Sequence, residues 1–587
     1  MKTMEEKTYK GIVASPGIVI GRAYLLDRRK VVVAGRRIEE ANVKDEIVRF
    51  KKAVENSIAQ LEDLKKRVSK GLGKSHLYIL DTHIMLLEDR KLTEDAITYI
   101  KRSHLNAEGA LKETITAISA KFDLIEDDYL RGRKYDVEQV GERILRNLVG
   151  HKQESLAEIE EEAVIIAHDL APTDTLMMRK DKILGFATDV GSRTSHTAIL
   201  ARSLGIPAAV GLENITQAVK TGDVVILDGI HGVVIVHPGE ETFLDYLRKH
   251  RKYKYFEQEL EKLKTLPAVT LDGHVIYLQG NIELPEEVPS VEDHGGTGIG
   301  LYRTEFLFMN RPDLPTEEEH YNAYRHVAEK ALPHDVVIRT FDVGGEKLSL
   351  PEEYEKEANP ALGLRAIRFC LQKRDIFKTQ LRGIIRATAH GKIKLLLPMI
   401  SGLTELHETK KILEEVKAEL RSEGQIFNEH LDVGIMIEIP SAAMIADLLA
   451  REVAFFSVGT NDLIQYALAI DRLNEHVAYM YEPLEPAVLR LLQRVAEAAR
   501  EAKIQLAMCG EMAGDPLYAA ILIGMGFEYL SMNVAAIAWV KRVIRSVRMQ
   551  DAVELATLVL QQPTSELAKK AAVRFMEDRF PDLAAEL

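Results

Sequence analysis

Residues 433–462, VGIMIEIPSAAMIADLLAREVAFFSVGTND, decide the fold of the larger part of the chain. The short apolar runs VGIMIEIP (433–440) and AFFSVGTND (454–462) are typical of buried strands, and a helical pattern follows each of them. Six more candidate strands of this kind are VIYLQGNI (275–282), TGIGLYR (297–303), DVVIRTFD (335–342), IKLLLPMI (393–400), IQLAMCGE (504–511) and YLSMN (529–533). Eight strand–helix units in about 300 residues predict a (β/α)8 barrel over 267–587.

The first half of the chain has a different texture. Strand-like runs at its beginning and again after about Glu162 predict a small α/β domain formed by 1–36 and 150–240. The residues between them, 37–149, have helical spacing and predict an inserted helical bundle. A highly charged stretch with a sparse apolar stripe, 241–266, predicts a helical linker. The predicted fold class is therefore an α/β multidomain chain that ends in a TIM-type barrel.

Composition excludes several classes of protein. The 587 residues carry a formal net charge of −13, so nucleic-acid binding is not expected. We find no run of about 18 apolar residues and no apolar segment at the charged N-terminus, so we expect neither membrane insertion nor a secretory signal. Cys370 and Cys509 are the only cysteines, which fits a cytoplasmic location.

Charged and polar residues recur where the barrel strands are predicted to end, and these ends form one rim. They include Arg303, Glu305, Arg339, Asp342, Glu438, Asn461, Asp462, Cys509 and Glu511, with Arg365 and Arg472 close by in sequence. Several guanidinium groups favour a ligand with more than one anionic group, and Glu438 and Asp462 are suited to Mg²⁺. The rim therefore predicts a phosphorylated carboxylate as ligand. The thiol of Cys509 is either inert packing or a proton donor at this rim.

One histidine stands in an unusual setting, in TDVGSRTSHTAILARSLGIPAAVGL (188–212). His196 is predicted to open a short helix, preceded by hydroxyl residues and Arg193 and followed by Arg202. A lone histidine at such a place is usually a surface or capping residue. A phosphate on this imidazole, however, would meet free backbone N–H groups, hydroxyls and guanidinium charge.

Taken together, the motifs resemble enzyme I, the phosphoenolpyruvate-protein phosphotransferase family of the bacterial sugar phosphotransferase system. The resemblance covers nearly the whole chain. It is carried by GSRTSHTAILARSLGIPAAVG around His196, HIMLLED (83–89), GIGLYRTEFLFMNR (298–311), RTFDVGGEK (339–347), NPALGLRAIR (359–368), GIMIEIPSAA (434–443), FFSVGTNDLIQYALAIDR (455–472) and MCGEMAGDP (508–516).

The resemblance implies a role for each matching residue. His196 would accept the phosphoryl group, with Thr175 and Arg202 stabilising it, and Cys509 would protonate the enolate to give pyruvate. Substrate would be bound by Arg303, Arg339, Arg365, Asn461, Asp462 and Arg472. Glu438 and Asp462 would hold Mg²⁺, with Mn²⁺ as the alternative.

The resemblance also implies partners. The small phosphocarrier HPr would bind the helical subdomain, and two copies of the chain would pair through their barrels. Met85, Leu86 and Arg133 are the candidate contacts for HPr. For Met85 and Leu86, ordinary bundle core is the competing interpretation.

Three alternatives are weighed against this function. An ATP-dependent relative, pyruvate phosphate dikinase or phosphoenolpyruvate synthase, would need a large nucleotide-binding domain, and only about 195 residues precede His196. The nitrogen-regulatory paralogue would carry an additional N-terminal sensor domain, which we do not expect because the first strand starts by about residue 9. A non-catalytic scaffold would not need the His, Arg, Glu, Asp and Cys set.

Overall fold

The chain forms two compact units, Met1–Phe256 and Glu257–Leu587. The computed structural model describes residues 6–26, 35–68, 83–123, 128–150, 159, 161–170, 182–191, 198, 201, 205–308, 313–342, 359–472, 474 and 476–581. The first unit combines a sheet with a helical bundle, and the second is a closed barrel, which confirms the predicted α/β multidomain class. The stretch predicted as a linker is helical over Glu240–Leu263.

An eight-stranded sheet organises the first unit. Its strands are β1 (Lys7–Lys10), β2 (Ile12–Ser15), β3 (Ile18–Leu26), β4 (Ala163–Ala167), β5 (Ile183–Thr188), β6 (Ala208–Val210), β7 (Val224–Asp228) and β8 (Val233–Val236). They lie in the order β1-β8-β7-β3-β4-β5-β6-β2, with β3 to β6 parallel and the other pairs antiparallel. Alternate residues of β4 enter two different core clusters, Ile165 in one and Val164 in the other. Both faces of this strand are therefore buried, which explains its continuous apolar run.

The helical bundle is an insertion into that sheet. Its helices are Val43–Val68, Arg90–Ser103, Ala107–Asp123 and Asp128–Val149, and residues 83–88 are also helical. All of them fall between β3 and β4, which are parallel neighbours paired at Ala23 and Val164. Phe50, Leu61 and Ile144, all fully buried, belong to the core that the bundle encloses. The predicted insertion is thus present in the topology.

The second unit contains all eight predicted barrel strands in the predicted order. They are β9 (Tyr277–Ile282), β10 (Ile299–Tyr302), β11 (Asp335–Arg339), β12 (Lys392–Leu397), β13 (Asp432–Ile437), β14 (Phe455–Val458), β15 (Gln505–Met508) and β16 (Tyr529–Met532). Every neighbouring pair is parallel, and β16 closes the barrel on β9. The rings of Tyr277 and Tyr529 stack across that closure, with their centroids 4.5 Å apart.

Helices follow the strands and cover the barrel. They are Val288–Asp293, Glu317–Lys330, Ala366–Gln372, Arg374–Ala387, Leu403–Ser422, Pro440–Met444, Ala446–Leu449, Thr460–Leu468, Pro486–Ala502, Pro516–Met525, Ile537–Ser546, Met549–Leu560 and Ser565–Arg579. Within the part of the chain that the structure describes, none of the helices is long and apolar enough to cross a membrane.

A small cluster of side chains fills the inside of the barrel. Its members come from the strands or the residue just after one, and they are Leu301, Val337, Leu396, Met436, Phe455 and Cys509. Strand side chains alternate between the inside and the helix-facing outside, so the next inward position toward the carboxyl end lies two residues on. For Val337 and Met436 those positions are Arg339 and Glu438. The fold therefore places charged groups directly above an apolar plug.

Candidate active site

Three guanidinium groups lie at the carboxyl end of the barrel strands, and each has a carboxylate partner. Arg303 directly follows β10 and donates from Nη1 to Glu283 Oε1 at 2.9 Å. Arg339, the last residue of β11, donates from Nη2 to Glu305 Oε1 at 3.0 Å. Arg339 is largely buried, whereas Arg303 keeps more than a third of its side chain exposed. The rim thus carries one buried arginine and one that solvent can reach, and both are able to bind an anion.

The third of these arginines is joined to the second through one carboxylate. Asp342 places Oδ2 2.6 Å from Arg339 Nη1 and accepts a hydrogen bond on Oδ1 from Arg365 Nη2 at 2.9 Å. Arg365 stands at the N-cap of the helix Ala366–Gln372, and its Nη2 also lies 3.9 Å from Asp462 Oδ2. Burial works to lower the pKa of Arg339, but Asp342, Glu305 and Glu438 overcome this effect and raise it. Burial also works to lower the pKa of Arg365, and Asp342 and Asp462 raise it, so both guanidinium groups stay charged.

A group of carboxylates lies beside these arginines. One oxygen from each of Asp342, Glu438 and Asp462 lies within 4.8 Å of the other two. Glu438 follows β13 and is 1% exposed, and its Oε1 accepts a hydrogen bond from the Met399 backbone N–H at 2.5 Å. Burial raises the pKa of Glu438 well above its usual range, and the carboxylates of Asp342 and Asp462 add to the rise.

The donor set fits a hard divalent cation. Oxygen ligands about 2.1 Å from Mg²⁺ can be at most about 4.2 Å apart, so the three carboxylates would need to close by at most about 0.6 Å. Burial and the two neighbouring carboxylates raise the pKa of Glu438, and a cation between the three oxygens would offset that repulsion. Oxygen-only ligands favour Mg²⁺ or Mn²⁺ over softer metals.

The structure corrects the prediction for residues 454–462. The sequence suggested a strand through Asp462, but β14 ends at Val458 and the helix Thr460–Leu468 begins directly after Gly459. Asn461 and Asp462 therefore lie in the first turn of a helix. Asn461 Oδ1 accepts a hydrogen bond from the Glu511 backbone N–H at 3.0 Å, which joins this turn to the residues after β15.

Cys509 directly follows β15 and is 4% exposed. Its Sγ lies 3.5 Å from the Val458 carbonyl oxygen and donates to it. Burial raises the pKa of the thiol to about 11, and Ser457 and Arg339 offset part of that rise. The thiol is therefore protonated at neutral pH and lies within the electrostatic reach of the arginines.

The remaining predicted residues are distributed as follows. Arg472 is exposed. Its charge lowers the pKa of the Tyr481 hydroxyl, whereas the charges of Glu511 and Asp462 raise it. Met85 is 64% exposed, whereas Leu86 is half-buried and packs against the bundle core. Arg133 belongs to the helix Asp128–Val149, but its side chain lies outside the described residues. His196, Thr175 and Arg202 also lie outside the described residues, so their roles stay predictions.

Several residues at the rim had no role in the sequence-based prediction. Glu305 and Asp342 stand at predicted strand ends without an assigned role, and the same rule applies to Glu283, which directly follows β9. Met399 gave no such signal, because it acts through its backbone N–H. Its φ of 56° is unusual for a residue with a side chain. A local strain of this kind beside Glu438 is a property of the fold that residue types do not reveal.

Comparison with known proteins identifies the family. Three family models match: PEP-utilising enzyme, N-terminal, over residues 10–133; mobile domain, over 159–232; and PEP-binding domain, over 257–549. The phosphoenolpyruvate-protein phosphotransferase of Haemophilus influenzae is 41% identical over 94% of this chain and 96% of its own length. The chain belongs to the phosphoenolpyruvate-protein phosphotransferase family. It is an enzyme, a phosphotransferase.

Two further relatives agree with this assignment. The phosphoenolpyruvate-protein phosphotransferase of Bacillus subtilis is 42% identical over 97% of this chain and 99% of its own length. That of Staphylococcus aureus is 41% identical over 95% of this chain and 98% of its own length. The similarity to these phosphotransferases thus extends across both compact units.

Proposed function

We propose that the chain transfers the phosphoryl group of phosphoenolpyruvate to its own His196, releases pyruvate, and then passes the group to a histidine of HPr for sugar uptake. The observation that carries the first reaction is the arrangement at the barrel rim. Arg303 and Arg339 act electrostatically on the protonated thiol of Cys509, and Asp342 joins Arg339 to Arg365. A substrate with two anionic groups and a carbon that must be protonated fits such a site.

Arginine recognition explains how the substrate would be held. Guanidinium groups bind phosphate and carboxylate through paired hydrogen bonds. In the structure Arg303 pairs with Glu283 and Arg339 pairs with Glu305. Substrate oxygens would replace these carboxylates or bind beside them. Arg365, Asn461, Asp462 and Arg472 complete the proposed binding set.

Glu438 and Asp462 would hold Mg²⁺, with Mn²⁺ as the alternative, because their oxygens lie together beside the arginines. The cation, when bound, neutralises charge on the substrate's phosphate oxygens. The hydrogen bond from the Met399 backbone N–H fixes the orientation of the Glu438 carboxylate.

The chemistry requires a proton on carbon as well as transfer of phosphorus. The bond between phosphorus and the enol oxygen breaks, and a bond between phosphorus and an imidazole nitrogen of His196 forms. The enolate then takes a proton on its terminal carbon from the Cys509 thiol and becomes pyruvate. The resulting thiolate recovers a proton from solvent. A pKa raised to about 11 keeps the thiol in the form that donates.

The second reaction involves the other unit. Thr175 and Arg202 would stabilise the phosphorylated imidazole, and HPr would bind the helical bundle near Met85. Two copies of the chain would pair through their barrels, which expose apolar side chains at Met444 and Tyr479. A cytoplasmic location follows from this role.

Labelling with phosphoenolpyruvate tests the proposal. Incubation with substrate labelled in its phosphate, Mg²⁺ and no ATP should give an acid-labile phosphoprotein that passes the label to added HPr. His196→Ala should abolish labelling and still bind phosphoenolpyruvate, whereas His231→Ala, at an exposed histidine of the same unit, should be labelled normally. Label on the His196→Ala chain would refute the acceptor, and label that HPr does not receive would refute the second transfer.

A further inference from the structure

Asp342 has a position that none of the proposed roles explains. It lies three residues beyond the end of β11 and is 6% exposed. Its two carboxylate oxygens bind two different guanidinium groups, Oδ2 with Arg339 Nη1 at 2.6 Å and Oδ1 with Arg365 Nη2 at 2.9 Å. One carboxylate thus joins an arginine at a strand end to an arginine at a helix start, 26 residues apart in sequence (365 − 339).

The backbone around this carboxylate is held in place. The N–H of Phe341 donates to the buried side chain of Gln380 at 3.0 Å, and that amide donates to Thr304 Oγ1 and Tyr324 Oη, both at 3.1 Å. Thr304 Oγ1 in turn donates to the Arg339 carbonyl oxygen at 2.9 Å. The two strand ends that carry Arg303 and Arg339 are therefore fixed to each other beneath the rim.

The segment that carries Arg365 is also constrained. Ala366 adopts a φ of 51°, which costs a residue with a side chain about 1 kcal/mol or more and persists only where the surroundings require it. This conformation accompanies the N-cap position of Arg365, whose guanidinium meets Asp342. The pair is a constrained contact between largely buried groups, unlike an exposed ion pair that solvent and entropy weaken.

Asp342 also belongs to the group of three carboxylates that could hold a cation. Two roles are therefore open to it, that of a metal ligand and that of a holder of arginines. Glu438 and Asp462 differ from it in their hydrogen bonds. Glu438 accepts from a backbone N–H, and Arg365 Nη2 lies 3.9 Å from Asp462 Oδ2. Both oxygens of Asp342, in contrast, lie within 3 Å of guanidinium nitrogens.

We propose that Asp342 is a positioning residue that holds Arg339 and Arg365 in the orientation that receives the substrate, and that it does not ligate the metal. The inference rests on the proposed binding of phosphoenolpyruvate at this rim. One carboxylate would then keep two guanidinium groups from separate segments at a fixed spacing, and that spacing would match the two anionic groups of one ligand. The spacing would otherwise depend on two long side chains with many rotamers.

The test uses the full chain with His196→Ala, so that binding is measured without turnover, and follows phosphoenolpyruvate and Mg²⁺ separately by titration calorimetry. Asp342→Asn keeps the size of the side chain and removes its charge. It should weaken phosphoenolpyruvate binding about ten- to hundred-fold, the usual effect of losing hydrogen bonds to charged groups. It should leave the Mg²⁺ midpoint within about two-fold. Asp335→Asn, which removes the partner of Lys394 at the opposite end of β11, is the matched control.

A double-mutant cycle keeps the test independent of stability. The double variant Asp342→Asn/Arg365→Gln should lose much less affinity for phosphoenolpyruvate than the product of the two single effects. The reason is that Asp342→Asn alone already frees the Arg365 guanidinium. Asp342→Glu, which keeps the charge, should recover part of the affinity and serves if the Asn variant does not fold.

Three results would overturn the proposal. The first is that Asp342→Asn raises the Mg²⁺ midpoint as strongly as Asp462→Asn does. The second is that the effects of Asp342→Asn and Arg365→Gln on phosphoenolpyruvate affinity simply multiply in the double variant. The third is that Asp342→Asn lowers the thermal unfolding midpoint and leaves the affinity for phosphoenolpyruvate unchanged. A parent chain that binds no phosphoenolpyruvate would instead refute the proposed function itself, and the Asp342 proposal with it.

Discussion

The thiol of Cys509 lies 3.5 Å from the carbonyl oxygen of Val458, the last residue of the neighbouring strand β14. The backbone N–H of Cys509 donates to the same oxygen at 3.0 Å. The side chain therefore has a fixed acceptor and a fixed backbone, and burial raises its pKa to about 11. Cys509 belongs to the cluster that fills the inside of the barrel, and its thiol lies within the electrostatic reach of Arg339 and Arg303.

Replacing Cys509 by Ala should slow pyruvate formation by about 10²–10⁴-fold, because the enolate loses its positioned proton donor. The effect should be measured as pyruvate released per active site. Cys370→Ala is the matched control, since Cys370 is the other buried thiol and belongs to the helix Ala366–Gln372. The thiol should also resist alkylation at pH 8–9, where a cysteine of ordinary pKa near 8.5 reacts readily. Unchanged turnover in Cys509→Ala would show that this residue only packs in the barrel and donates no proton.

Asp462→Asn should raise the Mg²⁺ concentration needed for half-maximal labelling by at least about ten-fold, because the site loses a charged ligand. The measurement is a Mg²⁺ titration of phosphoprotein formation at saturating phosphoenolpyruvate. Glu452→Gln, at a carboxylate that pairs with Lys410 on the barrel surface, should leave the titration unchanged. An unaltered midpoint in Asp462→Asn would exclude this carboxylate as a ligand.

Lys541 makes stability depend on pH. It is 2% exposed, and its Nζ donates to the carbonyl oxygens of Lys264 at 2.9 Å and Gly295 at 2.8 Å. Burial lowers its pKa to about 8, from 10.5 for the exposed side chain, and Arg545 adds to the effect. Between these values the unfolded chain binds more protons, so folding becomes more favourable as pH rises through this window. The gain is at most roughly 3 kcal/mol, and below pH 8 the cost of the buried charge is present in full.

Thermal unfolding at several pH values tests this linkage. The difference in unfolding midpoint between the unaltered chain and Lys541→Met should shift in favour of the unaltered chain from pH 8 to pH 10. Lys417→Met, at a lysine that pairs with Glu414, should not reproduce that slope. A difference that is independent of pH would show that Lys541 keeps an ordinary pKa.

The fold was largely predictable because the barrel strands are buried on both faces. Runs such as IKLLLPMI are apolar except for Lys394, so their positions and order could be predicted from residue types alone. The end of β14 could not, since Gly459 is followed by Thr460, Asn461 and Asp462, which suit a strand end and a helix start equally well. In the structure the backbone hydrogen bonds of these residues are those of a helix.

Residue types also indicated which side chains meet at the rim, but not how they pair. Arg339 lies near Glu305, Asp342 and Glu438, and the sequence offers no reason to prefer one carboxylate over another. The pairing depends on backbone positions such as the left-handed Ala366, which no pattern of polarity encodes. The acceptor His196 stays a prediction of the sequence.

The helical bundle offers the last prediction, which concerns HPr. Met85 is 64% exposed, although a methionine at helical spacing in a bundle usually belongs to its core. Its neighbour Leu86 is half-buried and packs against that core, so the two residues differ in what a polar replacement would do. Met85→Asp should therefore slow phosphoryl transfer to HPr about ten-fold or more, by placing a charge in an apolar contact. Labelling of the full chain by phosphoenolpyruvate should be unchanged.

Rates of both transfers in the full chain separate this effect from a general loss of structure. Val48→Asp provides the matched control, because Val48 is 65% exposed on the helix Val43–Val68 of the same bundle and would gain the same charge. A core substitution, Leu87→Asp at a residue that is 1% exposed, should instead lower the unfolding midpoint. If Met85→Asp transfers to HPr at the full rate, the contact lies elsewhere on the bundle. If it lowers the unfolding midpoint as Leu87→Asp does, Met85 stabilises the bundle, and its exposure has no role in recognition.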